Sequence, residues 1–330
     1  MILNGNVNDK LKEIKSESIQ CVVTSPPYYN LRDYGTDGQL GLEETPEEYV
    51  ENMVKVFREV KRVLKDDGTV WLNLGDSYAS QKSGNTYTGF NDRYFGRKSD
   101  GGKQSKTFEN TNIGRLEFGN LKTKDLVGIP WRVAFALQSD GWYLRQDIIW
   151  HKPNPMPESV KDRCTKSHEY IFLLTKSAKY YYNIDAIKEK ATWVENRSSG
   201  MERNAESYRN KVKYNDTNYG GGGTSFKGHS GNYKANGKLI NPDGLRNKRS
   251  VWSINTKPYK EAHFAVFPPK LPELCIKAGS AEGDVILDPF FGSGTTGWVA
   301  QRLGRKWIGI ELNPEYIKIA EKRFLQRELF

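Results

Sequence analysis

The stretch that most constrains the fold is Asp284-Val285-Ile286-Leu287-Asp288-Pro289-Phe290-Phe291-Gly292-Ser293-Gly294-Thr295-Thr296, an apolar run that breaks at a glycine turn and opens a helix predicted over Thr295–Leu303. A strand followed at once by a turn and a helix is the unit of a parallel sheet, because the helix must pack back on the sheet it has just left. The turn leaves backbone amides open to a ligand at a helix N-terminus. About 20 residues on, the spacing of a ribose-binding carboxylate, a second predicted strand, Trp307–Glu311, ends on Glu311. The third glycine of the dinucleotide fingerprint is missing, so a nicotinamide-dependent oxidoreductase stays open at this point as one reading of the turn.

The rest of the chain alternates strands and helices. Strands are predicted at Met1–Asn4, Ile19–Thr24, Thr69–Leu74, Trp142–Trp150 and His168–Thr175, and helices at Val7–Ile14, Asp125–Ser139, Lys270–Ala278 and Pro314–Leu329. Another helix starts with Thr45 as N-cap and Pro46 at its first position and runs to about Leu64, with Val50, Met53, Val54, Phe57, Val60 and Leu64 on one face. Asp67-Gly68 reads as the turn after it. Residues 80–118, rich in Gly, Ser, Asn and Lys, read as a long mobile loop, and residues 186–260 as an irregular insertion. The domain reading is therefore residues 1–185 as the catalytic part and 261–330 as the cofactor part of one α/β domain, with 186–260 inserted between them.

Charge is concentrated in that insertion. The chain of 330 residues carries a net +10, and residues 186–260 hold 15 Lys/Arg against 6 Asp/Glu. Clustered cations suit a polyanion, because neutralised phosphates release their counterions. Arg203, Arg209, Lys211, Lys213, Arg246, Lys248 and Arg249, with Arg32 outside the insertion, are the candidates for contacts to the phosphates or base edges of such a partner. No apolar run is long enough to span a bilayer, and no basic-then-apolar leader opens the sequence, so a cytoplasmic protein with no membrane partner is expected. Cys21, Cys164 and Cys275 lie far apart and have neither metal-ligand nor disulfide spacing, so free thiols and no metal are expected.

The second informative stretch is Thr24-Ser25-Pro26-Pro27-Tyr28, at the carboxyl end of a buried strand, where open α/β sheets carry their sites. Two prolines stiffen the loop. They fix the Ser25 hydroxyl, the Pro26 carbonyl and the Tyr28 ring in a form that suits a planar ring bearing an amino group. Tyr29, Asn30, Arg32 and Tyr34 follow and are expected to line the same pocket.

With both stretches in view, the chain resembles the β-class amino-methyltransferases of DNA, in which the catalytic motif comes first and the cofactor motif last. Thr24–Tyr28 looks like the catalytic motif, Asp67–Asp76 (DGTVWLNLGD) the strand after it, and Trp142–Asn154 with Ser167–Thr175 the last strand pair. His263–Pro268 with Lys270-Leu271-Pro272 resembles the segment before the cofactor strand, and Asp288–Thr296 with Ile310–Asn313 the cofactor motifs. The resemblance implies a Rossmann-like sheet of seven strands, six parallel and one antiparallel. It is circularly permuted, so that Trp307–Glu311 lies beside Met1–Asn4, and carries an inserted target-recognition region. It implies S-adenosyl-L-methionine as methyl donor, leaving S-adenosyl-L-homocysteine. The residues implied to hold it are Asn6, Thr24, Phe267, Lys270, Asp288, Pro289, Phe290, Gly292, Gly294, Thr295, Glu311, Leu312 and Asn313. Members often have Gly-Asp after the first strand, where this chain has Gly5-Asn6.

The implied reaction is direct transfer of a methyl group to the exocyclic N4 of cytosine in double-stranded DNA, with Ser25, Pro26, Pro27 and Tyr28 gripping a base rotated out of the helix. Ser before the prolines favours cytosine N4; Asp or Asn there goes mostly with adenine N6, which is the alternative. A cysteine nucleophile for C5 methylation is absent from any suitable context. An inactive DNA-binding relative is the more distant reading. A restriction-modification setting in a prokaryote or phage follows from the resemblance, with a cognate endonuclease and a homodimer as open partners.

Overall fold

The structure, a computed structural model, describes residues 1–79, 121–191, 244–256 and 267–325. The chain resolves into one compact unit formed by Met1–Asn183 with Ser250–Phe330, and a second formed by Ile184–Arg249. In chain order the elements are β1 (Ile2–Asn4), α1 (Val7–Lys12), β2 (Ile19–Thr24), α2 (Pro46–Val63), β3 (Leu64–Leu74), α3 (Ile129–Ser139), β4 (Tyr143–His151), β5 (His168–Thr175), β6 (Glu189–Lys190), β7 (Leu245–Arg246), β8 (Val251–Ser253), α4 (Lys270–Gly279), β9 (Val285–Asp288), α5 (Thr295–Arg302), β10 (Lys306–Glu311) and α6 (Pro314–Leu325).

The sheet of the first unit runs β1-β10-β9-β2-β3-β5-β4-β8. β5 alone is antiparallel to its neighbours. β1 pairs in parallel with β10, Leu3 opposite Ile310, so the permuted order is present. The described sheet has eight strands where seven were expected. The extra one is β8, which pairs with β4 through Trp150 and Trp252 and lies inside the stretch read as irregular. Three residues are too few to show a period of two, so the sequence carried no signal for it.

β2 is buried at every position, as a strand covered on both faces must be. Alternate residues sort the two faces. Val22, Val70, Leu72 and Leu287 join the core with α1, α2 and α3, whose Leu11, Met53, Phe57 and Val133 are fully buried. Cys21, Thr69 and Trp71 point the other way, where the backbone of Gly279 at the end of α4 lies against them. α4 therefore starts at the carboxyl edge of the sheet and ends at the amino edge.

Two local readings change. Thr45 caps α2 as expected, accepting from the Glu48 N–H at 3.1 Å. β3 starts earlier than expected, with α2 passing into it at Leu64 opposite Ile19, but the register then shifts: five residues of β3 span two of β2, so the chain makes an excursion at Lys65-Asp66-Asp67-Gly68 before pairing resumes at Thr69 opposite Cys21. Gly68 also sits close to its neighbours, because a Cβ there would lie 2.6 Å from the Leu64 side chain. And α3 begins at Ile129, not Asp125, behind Gly128 at φ +79°.

In the second unit β6 and β7 form a short antiparallel pair. Residues 80–118, His263-Phe264-Ala265-Val266, and the candidates Arg203, Arg209, Lys211 and Lys213 lie outside the described residues. No helix among the described residues is long and apolar enough to cross a membrane.

Candidate active site

β2 and β9 are neighbours, with Val22 opposite Leu287, so their carboxyl ends deliver Thr24-Ser25 and Asp288-Pro289 to one edge of the sheet. There the two halves of the site are joined directly. The buried Asp288 carboxylate accepts from the Thr24 hydroxyl at 2.7 Å, the Thr296 hydroxyl at 2.7 Å and the Phe290 N–H at 3.1 Å. Burial pushes the Asp288 carboxyl up to about 7, against the pull of those three donors. Thr24 and Asp288 are 264 residues apart in sequence.

The glycine turn is as the sequence requires. Gly292 and Gly294 have φ of +52° and +77°, which side chains with a Cβ resist. No side chain caps the N-terminus of α5. Glu311 reaches back from the end of β10, its two oxygens accepting from the N–H of Gly292 at 2.7 Å and of Asn313 at 2.8 Å. Burial raises its pKa, opposed by those amide bonds. A carboxylate offers about four acceptor positions, so each oxygen keeps capacity for a ribose hydroxyl. Ser293 Oγ is buried there with no hydrogen-bond partner among the described residues. An acceptor-rich carboxylate, an uncapped helix start and an unsatisfied buried hydroxyl around one turn fit a ligand carrying both a ribose and charged groups, as S-adenosylmethionine does.

The other residues read as cofactor contacts are placed unevenly. Pro289 is buried beneath the turn and Thr295 opens α5, its hydroxyl accepting from Arg323 at 2.8 Å. Asn313 accepts from the Glu315 N–H at the start of α6, and Leu312 sits beside it. Phe267 and Lys270 stand at the start of α4, on the same edge, where Lys270 pairs with Glu273 at 3.1 Å. Asn6 is the N-cap of α1, its Oδ1 accepting from the Asn8 N–H at 2.9 Å and its Nδ2 facing the Gly38 carbonyl at 3.4 Å. That side chain is engaged by its own backbone and the 38–41 loop, at the end of the strand beside Glu311.

The Ser25–Tyr28 loop is held from two sides. The fully buried Tyr49 of α2 donates to the Pro27 carbonyl at 2.8 Å. The Tyr28 ring lies on Gly75, where a Cβ would come within 2.5 Å of it. Pro26 is buried, while Ser25, Pro27 and Tyr28 are half-buried. Of the residues expected to line the pocket, Tyr29 does not: it is 1% exposed and packs on Tyr49. Asn30 takes a left-handed turn at φ +51°, Arg32 follows in the same loop, and Tyr34 meets Tyr316 edge to face at 6.2 Å.

A polar cluster that the sequence reading did not assemble lies at the same edge. Tyr28 Oη donates to Glu169 Oε2 at 2.6 Å and lies 3.2 Å from Asn73 Oδ1. Asn73 Nδ2 donates to the same Glu169 oxygen at 3.0 Å, and Lys152 Nζ pairs with the other. Lys152 also lies over the Trp150 ring, 4.6 Å from its centroid. Asp76 accepts from the N–H groups of Ser77, Gly128 and Ile129, supplying the cap that Gly128 cannot. In the second unit, Arg246, Lys248 and Arg249 all bond to Glu189, at 3.0, 3.0 and 2.7 Å. Burial works against ionisation of Glu189, but the Lys248 and Arg249 donors bring it down to about 2. Among the described residues no group of three or more His, Cys, Asp or Glu is placed to hold a metal ion.

With this geometry the comparisons agree. The family model described as DNA methylase, covering the N6 and N4 methyltransferases, matches residues 19–322. The Type II methyltransferase M.SmaI of Serratia marcescens is 45% identical over 99% of this chain and 91% of its own length. The Type II methyltransferase M.Cfr9I of Citrobacter freundii is 44% identical over 98% of this chain and 86% of its own. Among solved structures, the PvuII DNA methyltransferase (cytosine-N4-specific) matches with a TM-score of 0.60 at 20% identity, covering 98% of this chain and 85% of that one. A Thermus thermophilus protein complexed with S-adenosyl-L-methionine matches with a TM-score of 0.55 at 21% identity, covering 98% and 93%.

Proposed function

The chain belongs to the N6/N4 DNA methylase family, the β-class amino-methyltransferases, and from that premise we propose that it methylates the exocyclic N4 of cytosine in a specific duplex sequence. It is a DNA methyltransferase with S-adenosylmethionine as donor. The observation that carries the site reading is the 2.7 Å bond from Thr24 to Asp288, which ties the start of the Ser25–Tyr28 loop to the glycine turn.

When bound, the donor supplies a methyl group already activated on a sulfonium. The protein's task is the nucleophile, an amine conjugated with its ring. Ser25 Oγ and the Pro26 carbonyl accept its N–H groups, drawing the nitrogen towards tetrahedral geometry and stabilising the charge that develops there. Tyr28 supports the ring face, and its hydroxyl is anchored on Glu169. The loop fixed by Pro26, Pro27 and Tyr49 keeps these groups oriented, which lowers the entropic part of the barrier. Phe267 and Lys270, at the start of α4, border the donor's side of the cleft, with Glu311 reading the ribose. The target base is inside the stack, so it leaves the helix to react. Ser25 favours cytosine N4 because serine before the two prolines is the pattern that mostly accompanies cytosine in this family.

The unit Ile184–Arg249 is read as the target-recognition part, with Arg246, Lys248 and Arg249 as phosphate contacts arranged by Glu189. Its relatives' designation as Type II methyltransferases supports a restriction-modification setting in a bacterial cytoplasm, with an endonuclease of the same sequence specificity and self-association as open partners. The test is to incubate the purified protein with tritiated S-adenosylmethionine and mixed-sequence duplex DNA, then digest and analyse the nucleosides. N4-methylcytosine is the expected product. N6-methyladenine would overturn the base assignment, and no labelled nucleoside would overturn the activity.

A further inference from the structure

The Tyr28 network has a direction, and the direction bears on what Ser25 offers to a substrate. Glu169 lies at the start of β5, which is antiparallel to β3, so it faces the Asn73 end of β3 and the Lys152 end of β4. Its carboxylate only accepts: from Asn73 Nδ2 at 3.0 Å, from Lys152 Nζ, and from Tyr28 Oη at 2.6 Å. Asn73 is itself oriented, because its Nδ2 also donates to the Tyr170 carbonyl at 3.0 Å, leaving Oδ1 towards Tyr28. Tyr28 therefore faces two acceptors, and its proton points to them. Its oxygen is left to accept from Ser25 Oγ, 3.2 Å away. Burial, followed by the Glu169 charge, pushes the Tyr28 phenol well above its usual range, so it keeps that proton.

We infer that Glu169 is a positioning residue: held by Asn73 and Lys152, it turns the Tyr28 hydroxyl, and through it the Ser25 hydroxyl, so that Ser25 presents only lone pairs to the substrate amine. A serine hydroxyl is free to rotate and can donate or accept. A Ser25 proton aimed at the target nitrogen would occupy the lone pair needed for methyl transfer. With that proton committed to Tyr28, Ser25 becomes a pure acceptor. This inference rests on the amine-methylating role assigned above to Ser25.

The decisive variant is Glu169→Gln, which keeps shape and reverses polarity. Its amide N–H can donate to Tyr28 Oη and compete with Ser25 for that oxygen; with Tyr28 keeping its own proton on Asn73 Oδ1, Ser25 is released and can turn its proton towards the substrate. The thermal midpoint and binding of S-adenosylmethionine should stay near wild type, while the single-turnover methylation rate falls about a hundredfold, the low end of the scale on which one mis-set polar contact acts. KM for DNA should move little, since the loss lies in the transition state. In a Tyr28→Phe background, which breaks the chain, Glu169→Gln should cost less than about threefold more. A Glu169→Gln rate equal to wild type, or the same loss in the Tyr28→Phe background, overturns the inference. Failure of wild-type protein to methylate any amine would instead sink the underlying activity, so the two failures are told apart by the wild-type control.

Discussion

Gly75 forms the seat of the Tyr28 ring, and adding one methyl group there tests whether the ring must sit where it does. A Cβ on Gly75 would lie 2.5, 2.9 and 3.3 Å from three ring carbons of Tyr28. Carbon atoms pack at about 3.5–4.0 Å, so the ring must retreat by about 1 Å. The Gly75 backbone is not in the left-handed region, so alanine brings no conformational penalty of its own. Overpacking of this kind costs about 1–3 kcal/mol, within reach of a protein of this size. The functional effect should be larger in proportion. A displacement of about 1 Å can cost about a hundredfold in rate, and here it would open the 2.6 Å bond between Tyr28 and Glu169 and shift the base platform. Gly75→Ala should therefore bind S-adenosylmethionine normally by calorimetry, because Asp288, Gly292 and Glu311 are untouched, yet methylate about a hundredfold more slowly in single turnover. A variant that folds, binds the donor and turns over at the wild-type rate would show that the Tyr28 seat has no part in the reaction.

Three other outcomes follow from the same structure. Asp288 holds its proton in the folded state up to about pH 7, while in the unfolded chain it loses it near pH 4; stability is thus fully present below about pH 4, declines as pH rises from about 4 to 7 and then levels off. Urea midpoints should fall more between about pH 5 and pH 8 for wild type than for Asp288→Asn, and equal changes would contradict the raised value. Gly309→Ala places a Cβ 2.3 Å from the Phe291 ring, which stacks on Trp307 at 5.2 Å beneath the glycine turn; a loss of about 1–3 kcal/mol in chemical denaturation and weaker donor binding are expected, and unchanged values of both would refute it. Glu189→Ala removes the carboxylate shared by Arg246, Lys248 and Arg249. It should tighten DNA binding at low salt and steepen the log K against log salt slope by about 0.9 for each additional phosphate that these cations neutralise, measured by fluorescence anisotropy; an unaltered slope removes them from the DNA interface.

The fold was legible where local chemistry repeats what the sheet needs. Thr45-Pro46 announced a helix start, and the glycine turn after Asp288 announced a strand-to-helix reversal, because each requires particular residues at fixed offsets. Asp67-Gly68 marked the excursion in β3 but not the pairing of Leu64 before it, because a single paired residue leaves no pattern in sequence. The Tyr28–Asn73–Glu169–Lys152 cluster had no local signature at all. Its members come from four segments, and only the antiparallel register of β5, Asn73 opposite Ile171, brings them together. Asp76 stood in the stretch already singled out, but its service to Gly128 and Ile129 spans 52 and 53 residues and cannot be read from spacing. Tyr29 was expected in the pocket because it follows Tyr28, yet the chain turns at Asn30 and buries it.

The interleaved strand order also sets a timetable for synthesis. Among the described strands β1 pairs with β10 alone, and β2 is flanked on one side by β9, so the pairing of both waits for residues 285–311, which follow them in the chain. Contacts closing loops of this length form slowly, and until Asp288 has been made the Thr24 hydroxyl lacks the carboxylate that accepts it. The pairing on both sides of β10, and the bond that ties Thr24 to the glycine turn, are therefore late products of synthesis.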